Sequence, residues 1–369
     1  MTTDYTLYGA ELSLYSGKAR AYLRFKNLKW KEEINQDIYR KIIIPRVGAP
    51  IIPVLHTADD VIVQDTTDII DFLEAKHPEV SVYPSTPKQK LVALMMEHYA
   101  EEWLVMPAMH YRWSYLDEHY DFIMSEFGGI ALADGSMEER IAIGEKSSAA
   151  FKGMLPALGV SDTTAKAIEA NYLTLLERLN AHFSQYDYLL GSRPSIGDFG
   201  LIGPLYAHLA RDPYPKAIMQ EKAPAVYAWV ERMNNPKPLS GEFLANDEIP
   251  ETLLPVLSTL CEEQLPEVLS VIKHNSQWLE QNPGGNLPRH LGSHPFKING
   301  VESERVIHTY SQWLFQRPLF HYQQLAAEEK QACSDLLKAV GGYEAFQIEI
   351  SHPVKRKAGQ LELVEDVDS

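Results

Sequence analysis

Apolar residues follow two rhythms along this chain, and the change falls near residue 88. Before it, short runs are separated by breakers. Tyr5-Thr6-Leu7-Tyr8 predicts a strand ended by Gly9, Gly17–Asn27 a helix with Ala19, Tyr22, Leu23 and Phe25 inward, and Trp30–Ile34 a second strand. Arg40–Ala49 reads as irregular, with Pro45 and Gly48 as breakers. Ile51–His56 and Val61–Val63 flank Thr57–Asp60 and predict a hairpin. Asp65 then predicts the N-cap of a helix over Thr66–Lys76, which stops before Pro78.

From Lys88 onward the period is helical. Leu91, Leu94, Met95, Tyr99 and Glu102 begin a long helix that Tyr111–Met124 continues past Pro107. Phe127–Met137 reads as a loop, and Met137–Leu155 and Thr164–Tyr186 as helices. Ser195 and Asp198 form a capping-box pattern before a helix apolar nearly all round, which should be buried. Ala225–Met233 is one more helix. Beyond residue 240, Pro250–Glu280 predicts a helix, Gln281–Leu287 a loop and Ser303–Ala327 a helix broken at Pro318. Phe346–Ile350 reads as a strand paired with Gln360–Val364, and Glu365–Ser369 as an acidic tail.

Charge narrows the partners. The net charge of -16 repels phosphate backbones and anionic lipid heads, so neither nucleic acid nor membrane is expected. No apolar run reaches the ~18 residues of a membrane span, and Met1–Leu12 lacks the pattern of a signal peptide. With Cys261 and Cys333 as the only cysteines, a disulfide framework is not expected and a cytoplasmic location is the simplest reading. His290 and His294 are separated by Gly292 and followed by Pro295, so no metal site is expected there.

Three short stretches carry candidate chemistry. Ile52-Pro53 opens the predicted hairpin. In Gln64-Asp65-Thr66, Thr66 begins a helix, whose free N–H groups favour an anion, and Asp65 offers a carboxylate to a cation. Ser13-Leu14-Tyr15-Ser16-Gly17-Lys18-Ala19-Arg20 places hydroxyls at the start of the first helix. A β-α-β, β-β-α unit followed by helices resembles the glutathione S-transferase superfamily. The Ser13–Arg20 stretch is similar to the Cys-Pro-Phe-x-x-x-x-Arg motif of omega-class transferases, with Ser13 in place of the reactive cysteine, Ser16 in place of the second, and no proline after Ser13.

The resemblance implies an α/β thioredoxin-like domain over residues 1–84 that binds glutathione. An all-helical domain over 88–240 follows, and the unmatched 241–369 is a mainly helical extension with room for short strands. It implies a cis bond before Pro53, with the backbone of Ile52 free at a sheet edge to meet the cysteinyl part of glutathione. Asp65 and Thr66 would hold the γ-glutamyl ammonium and carboxylate, Arg40 the glycyl carboxylate, and Tyr15 would line the loop. Ser13 would donate a hydrogen bond to the thiolate, with Tyr8 and Tyr15 as alternatives. Without a cysteine at position 13 or 16 no mixed disulfide forms there, which favours thiol addition over reduction. His98, Tyr99, Trp103 and Tyr111 would line a pocket for a small hydrophobic electrophile, with Trp113 beside them. A homodimer is implied. A non-enzymatic binding or regulatory module, or another glutathione-dependent lyase, isomerase or dehalogenase, are the alternatives.

Overall fold

A computed structural model describes residues 4–357 and 359–364, so the tail read at Glu365–Ser369 lies outside the described residues. The chain opens with β1 (Tyr5–Tyr8), α1 (Leu14–Phe25) and β2 (Trp30–Glu33). The stretch expected to be irregular is helical, as α2 (Gln36–Ile38), a π turn over Tyr39–Ile43 and α3 (Ile44–Val47). Asn35 caps its start, Pro45 falls in the first turn of α3 where no N–H is needed, and Gly48 closes it at φ 85°. Then come β3 (Val54–Thr57), β4 (Ile62–Gln64) and α4 (Thr66–Lys76).

The four strands lie in the order β2-β1-β3-β4, parallel between β1 and β2 and antiparallel elsewhere. Tyr8 pairs with Val54, and Val54 with Gln64. The end of β1, the start of β3 and the end of β4 are therefore in line, at about 5 Å per strand. This is the thioredoxin-like unit.

The helical unit begins with α5 (Pro87–His98), which runs through a π turn (Tyr99–Trp103) into α6 (Val105–Ser114). Pro107 does not break it because it sits in the first turn of α6. The helix ends at Ser114, and α7 (Tyr120–Ala131) takes up part of the expected loop, followed by α8 (Met137–Lys152). Two glycines here serve close packing of α7 on α8. A Cβ on Gly128 would stand 1.8 Å from the Arg140 carbonyl, and one on Gly144 1.9 Å from that of Met124. Next are α9 (Ala165–Phe183), α10 (Ile196–Ala207), α11 (Pro213–Lys222) and α12 (Pro224–Asn234). The capping box forms at α10. The Asp198 carboxylate accepts from the N–H groups of Ser195 (2.9 Å) and Leu189 (3.0 Å) and from Trp229 Nε1 (3.2 Å).

Beyond residue 240 lie α13 (Leu254–Gln281), β5 (His290–Ile298), β6 (Val301–His308), α14 (Tyr310–Gln323), α15 (Ala327–Val340), β7 (Val354–Lys357) and β8 (Gln360–Leu363). Two expectations fail here. Ser303 belongs to a hairpin turned at Asn299-Gly300, both at positive φ, and α14 starts only at Tyr310 and contains Pro318. Phe346 sits in a 3-10 turn, buried against Phe315 and Tyr322, and the strand pair is Val354–Lys357 with Gln360–Leu363. One apolar core holds Leu7 and Ile69, Leu94 and Leu176, and Leu260 and Phe315, so all three parts share it.

Candidate functional site

The aligned strand ends bring the three chemistry-bearing stretches to one end of the sheet. Residues 9–13 leave β1, Ile52-Pro53 enters β3, and Asp65 follows β4. The Ile52–Pro53 bond is cis. Ile52 is half-buried, precedes the paired register and takes no part in the turn and loop hydrogen bonds described. Because β3 is flanked by β1 and β4, its free groups lie at a strand end and not along a sheet edge.

Ser13 is the N-cap of α1. Its Oγ accepts from Ser16 N–H at 3.3 Å, which uses a lone pair and leaves the hydroxyl proton to donate. Ser16 is buried, its Oγ accepting from the N–H of Ala10. The two tyrosines are more committed. The Tyr15 hydroxyl donates to the Glu101 carbonyl at 3.3 Å, and burial beside Glu102 and Glu101 raises it well above the usual range. Tyr8 lies 2.9 Å from His56 Nδ1, and burial raises it too.

Asp65 caps α4 through Oδ1, which accepts from Thr67 N–H at 2.9 Å and Asp68 N–H at 3.4 Å. Its other oxygen is also occupied. Arg356 of β7 reaches Oδ2 at 2.7 Å, and the hydroxyl of Tyr310, 245 residues further along, donates to it at 2.8 Å. Asp65 holds φ 87°, ψ 137°, a conformation costly for any residue with a Cβ. Thr66 is buried and donates to Glu101 Oε1 at 2.9 Å, so its hydroxyl faces the helical unit.

Beneath these residues lies a charge cluster that the sequence reading missed. Lys18 Nζ has all three protons placed, on Glu97 Oε1 and Glu101 Oε1 at 2.6 Å each and on Thr67 Oγ1 at 3.0 Å. Two carboxylates share one ammonium, and burial pushes the Glu101 carboxyl up. The legible signal was the spacing of Glu97 and Glu101, one helical turn apart after the apolar run Leu91–Met96. Nothing in the sequence pointed to Lys18, Arg356 or Tyr310.

The other expected ligands disperse. Arg40 is exposed and pairs with Asp37 at 3.3 Å. His98, Tyr99, Trp103 and Tyr111 are all buried. His98 faces the extension, with Nε2 3.2 Å from Ser311 Oγ and its ring against Phe315. Trp103 packs on Phe296 and under the Arg305 guanidinium, and Tyr111 stacks with Tyr115. They fill the core in separate places; Trp113 packs on Phe127. His294 is in β5, 3.2 Å from Glu267, and no group of three or more His, Cys, Asp or Glu among the described residues is arranged to hold a metal. No helix among the described residues is long and apolar enough to cross a membrane. Cys261 and Cys333 are free and buried.

The packing at His98 gives a pH prediction. Burial pushes its imidazole down to about 4, so the folded state favours the neutral ring. The stability this contributes is whole above the unfolded value near 6.5 and is lost as pH falls toward 4. His98→Gln should therefore flatten the pH dependence of urea unfolding, saving roughly 2 kcal/mol of the loss between pH 7 and pH 5. Parallel curves for the two proteins would refute the neutral buried ring.

Comparison with known proteins adds the following. The family model described as glutathione S-transferase, N-terminal domain, matches residues 7–81, and that for the C-terminal domain matches residues 149–236. Among solved structures, a glutathione S-transferase of Rhodospirillum rubrum is 18% identical, covering 67% of this chain and 96% of that one at a TM-score of 0.42. A β-etherase of Sphingobium is 19% identical, covering 64% and 96% at 0.46. A glutathione S-transferase of Methylobacterium radiotolerans, in complex with glutathione sulfonate, is 19% identical, covering 66% and 98% at 0.41. No curated protein matches the chain.

Proposed function

We propose, for a chain that belongs to the glutathione S-transferase superfamily by both its domains, that it binds glutathione at the aligned strand ends and activates the thiol for attack on a hydrophobic electrophile. The observation that carries this reading is the convergence of the Ser13 loop, the Ile52-Pro53 entry to β3 and the start of α4 at one end of the sheet. A tripeptide lying across these three strand ends has a free backbone at Ile52 for its middle residue and a helix start for its γ-glutamyl end.

Ser13 is the proposed thiol activator because its hydroxyl proton is uncommitted while its oxygen caps α1. A free thiol has a pKa of about 8.5 and only the thiolate attacks. A hydrogen bond to the charged form is worth about 1.5–3 kcal/mol, which lowers that value by roughly 1–2 units. Arg40 keeps only its position before β3 as support for a role toward the glycyl carboxylate. The buried state of His98, Tyr99, Trp103 and Tyr111 moves the electrophile's seat away from them, and the half-buried Tyr15 and Glu102 beside the Ser13 loop are the better candidates. Burial pushes the Glu102 carboxyl up to about 8, against the lowering effect of the Arg305 charge.

A second reading, a binding module without turnover, is favoured by one observation: both oxygens of Asp65 are already occupied. The two readings separate on titration with glutathione followed by turnover of aryl halides and epoxides at pH 7. For Ser13→Ala we expect glutathione affinity within about twofold of wild type and turnover lower by roughly tenfold to hundredfold. Binding without turnover of any electrophile favours the module. Turnover unchanged in the variant moves activation to another hydroxyl.

A further inference from the structure

The extension places an arginine where an amine ligand of Asp65 would sit. Arg356 makes four polar contacts, with Asp65 Oδ2 at 2.7 Å, Asp68 Oδ2 at 3.1 Å, Gln64 Oε1 at 2.8 Å and the Gln64 carbonyl at 3.2 Å. Its guanidinium also lies over the rings of Tyr310 and Trp313, at 5.6 and 5.5 Å. The contact is built, not casual. The amide of Gln316 holds both backbone groups of Val354, at 2.7 and 2.9 Å, and Gln312 holds the His352 carbonyl at 2.9 Å, which fixes the β7–β8 hairpin to α14. Val354 and Leu361 bury against Leu279 and Leu287. One turn further along α4, Arg317 of α14 pairs with Asp71 at 2.7 Å. Asp65, Asp68 and Asp71 thus form a row of carboxylates on one side of α4, closed by two arginines of the extension.

We propose that the β7–β8 hairpin is an intramolecular blocker of the γ-glutamyl seat, with the Arg356 guanidinium standing in for the ammonium of glutathione. An ammonium and a guanidinium compete for the same carboxylate oxygen, and Tyr310 already fills a further direction on it. Glutathione then engages only the fraction of molecules in which Arg356 has left Asp65, and its apparent dissociation constant is raised by the inverse of that fraction. Opening the seat requires the Arg356 side chain, alone or with the hairpin that carries it, to leave Asp65. The hairpin is two-stranded, its turn includes Gly359, and its backbone is tied to the rest of the fold through Gln312, Gln316 and a bridge between Leu361 and Leu287.

This rests on the reading of Asp65 as the seat of the γ-glutamyl amine, and the test separates the two. Glutathione is titrated calorimetrically into the full chain, as wild type, Arg356→Gln and Tyr310→Phe, and hydrogen exchange of residues 352–364 is followed with and without it. We expect Arg356→Gln to bind about tenfold tighter than wild type, Tyr310→Phe a few-fold tighter, and glutathione to speed exchange in the wild-type hairpin. Equal or weaker binding in both variants, with hairpin exchange indifferent to glutathione, overturns the blocker and leaves the glutathione site standing. Absence of binding in all three proteins overturns the glutathione reading and the blocker with it. Tyr310→Phe removes a single hydroxyl and keeps the test valid where Arg356→Gln alters folding.

Discussion

Arg112→Ala is expected to lower the unfolding free energy by about 3–5 kcal/mol. The guanidinium is buried in α6 and grips Asp212 twice, Nε to Oδ2 at 2.7 Å and Nη2 to Oδ1 at 2.8 Å. It also donates to the Leu12 carbonyl at 2.9 Å and the Ala207 carbonyl at 2.6 Å. One side chain therefore joins the end of α10, the start of α11 and the loop that carries Ser13. Removing it leaves Asp212, fully buried, as an uncompensated charge, which is the expensive part. Urea unfolding checks this. The double variant Arg112→Met/Asp212→Leu should recover much of the loss, because the charge goes with its partner. It should not recover all, because the two carbonyls keep no donor. A single variant within 1 kcal/mol of wild type would mean that water reaches Asp212. A functional consequence follows from Leu12: the loop before Ser13 loosens, so any Ser13-dependent turnover should fall in the double variant even where stability returns.

Asp65→Ala is expected to cost about 3 kcal/mol, from three losses at one carboxylate. The N-cap of α4 is worth about 1 kcal/mol. Tyr310 loses its acceptor and Arg356 loses one of its two carboxylates, while Asp68 and Gln64 still hold it. Alanine inherits the strained backbone at φ 87° with no contact to hold it. Asp65→Gly removes the same contacts but relaxes that backbone, so it should be the less damaged of the two by about 1 kcal/mol. Thermal or urea unfolding of the pair reads the strain directly; equal losses would show that the backbone relaxes in both. Glutathione affinity should fall in either variant, since the proposed charge-assisted contact to the amine goes, a loss that relief of the Arg356 block offsets in part. An unchanged dissociation constant would remove Asp65 from the site while leaving its role as a cap.

Local chemistry wrote the thioredoxin-like unit plainly. The strand at Tyr5–Tyr8 and the helix over Thr66–Lys76 match residue for residue, because both are bounded by strong local signals, Gly9 after one and Asp65 before the other. The Ser195–Asp198 box was equally legible, since all its partners but Leu189 and Trp229 lie within four residues. Where a residue has two uses, the sequence could not choose between them. Gly128 lies in a stretch that reads as a loop and serves helix contact, and Pro45 reads as a breaker and sits in a first turn. Asn299-Gly300, flanked by the β-branched Ile298 and Val301, is a local hairpin signal that the helix expected from Ser303 does not use.

The sequence by itself determined β1–β4 with α1 and α4, the family likeness and the three stretches that meet at the strand ends, because each is encoded within a few neighbouring residues. Tertiary structure alone decided what surrounds them. The register Tyr8–Val54–Gln64 gathers them, Lys18 reaches Glu97 and Glu101 beneath them, and Arg356 and Tyr310 arrive at Asp65 from the far end of the chain. The physical reason is range. Caps, turns and periodicity act over one to four residues, whereas an ion pair between distant residues exists only once the intervening core has folded and fixed both backbones.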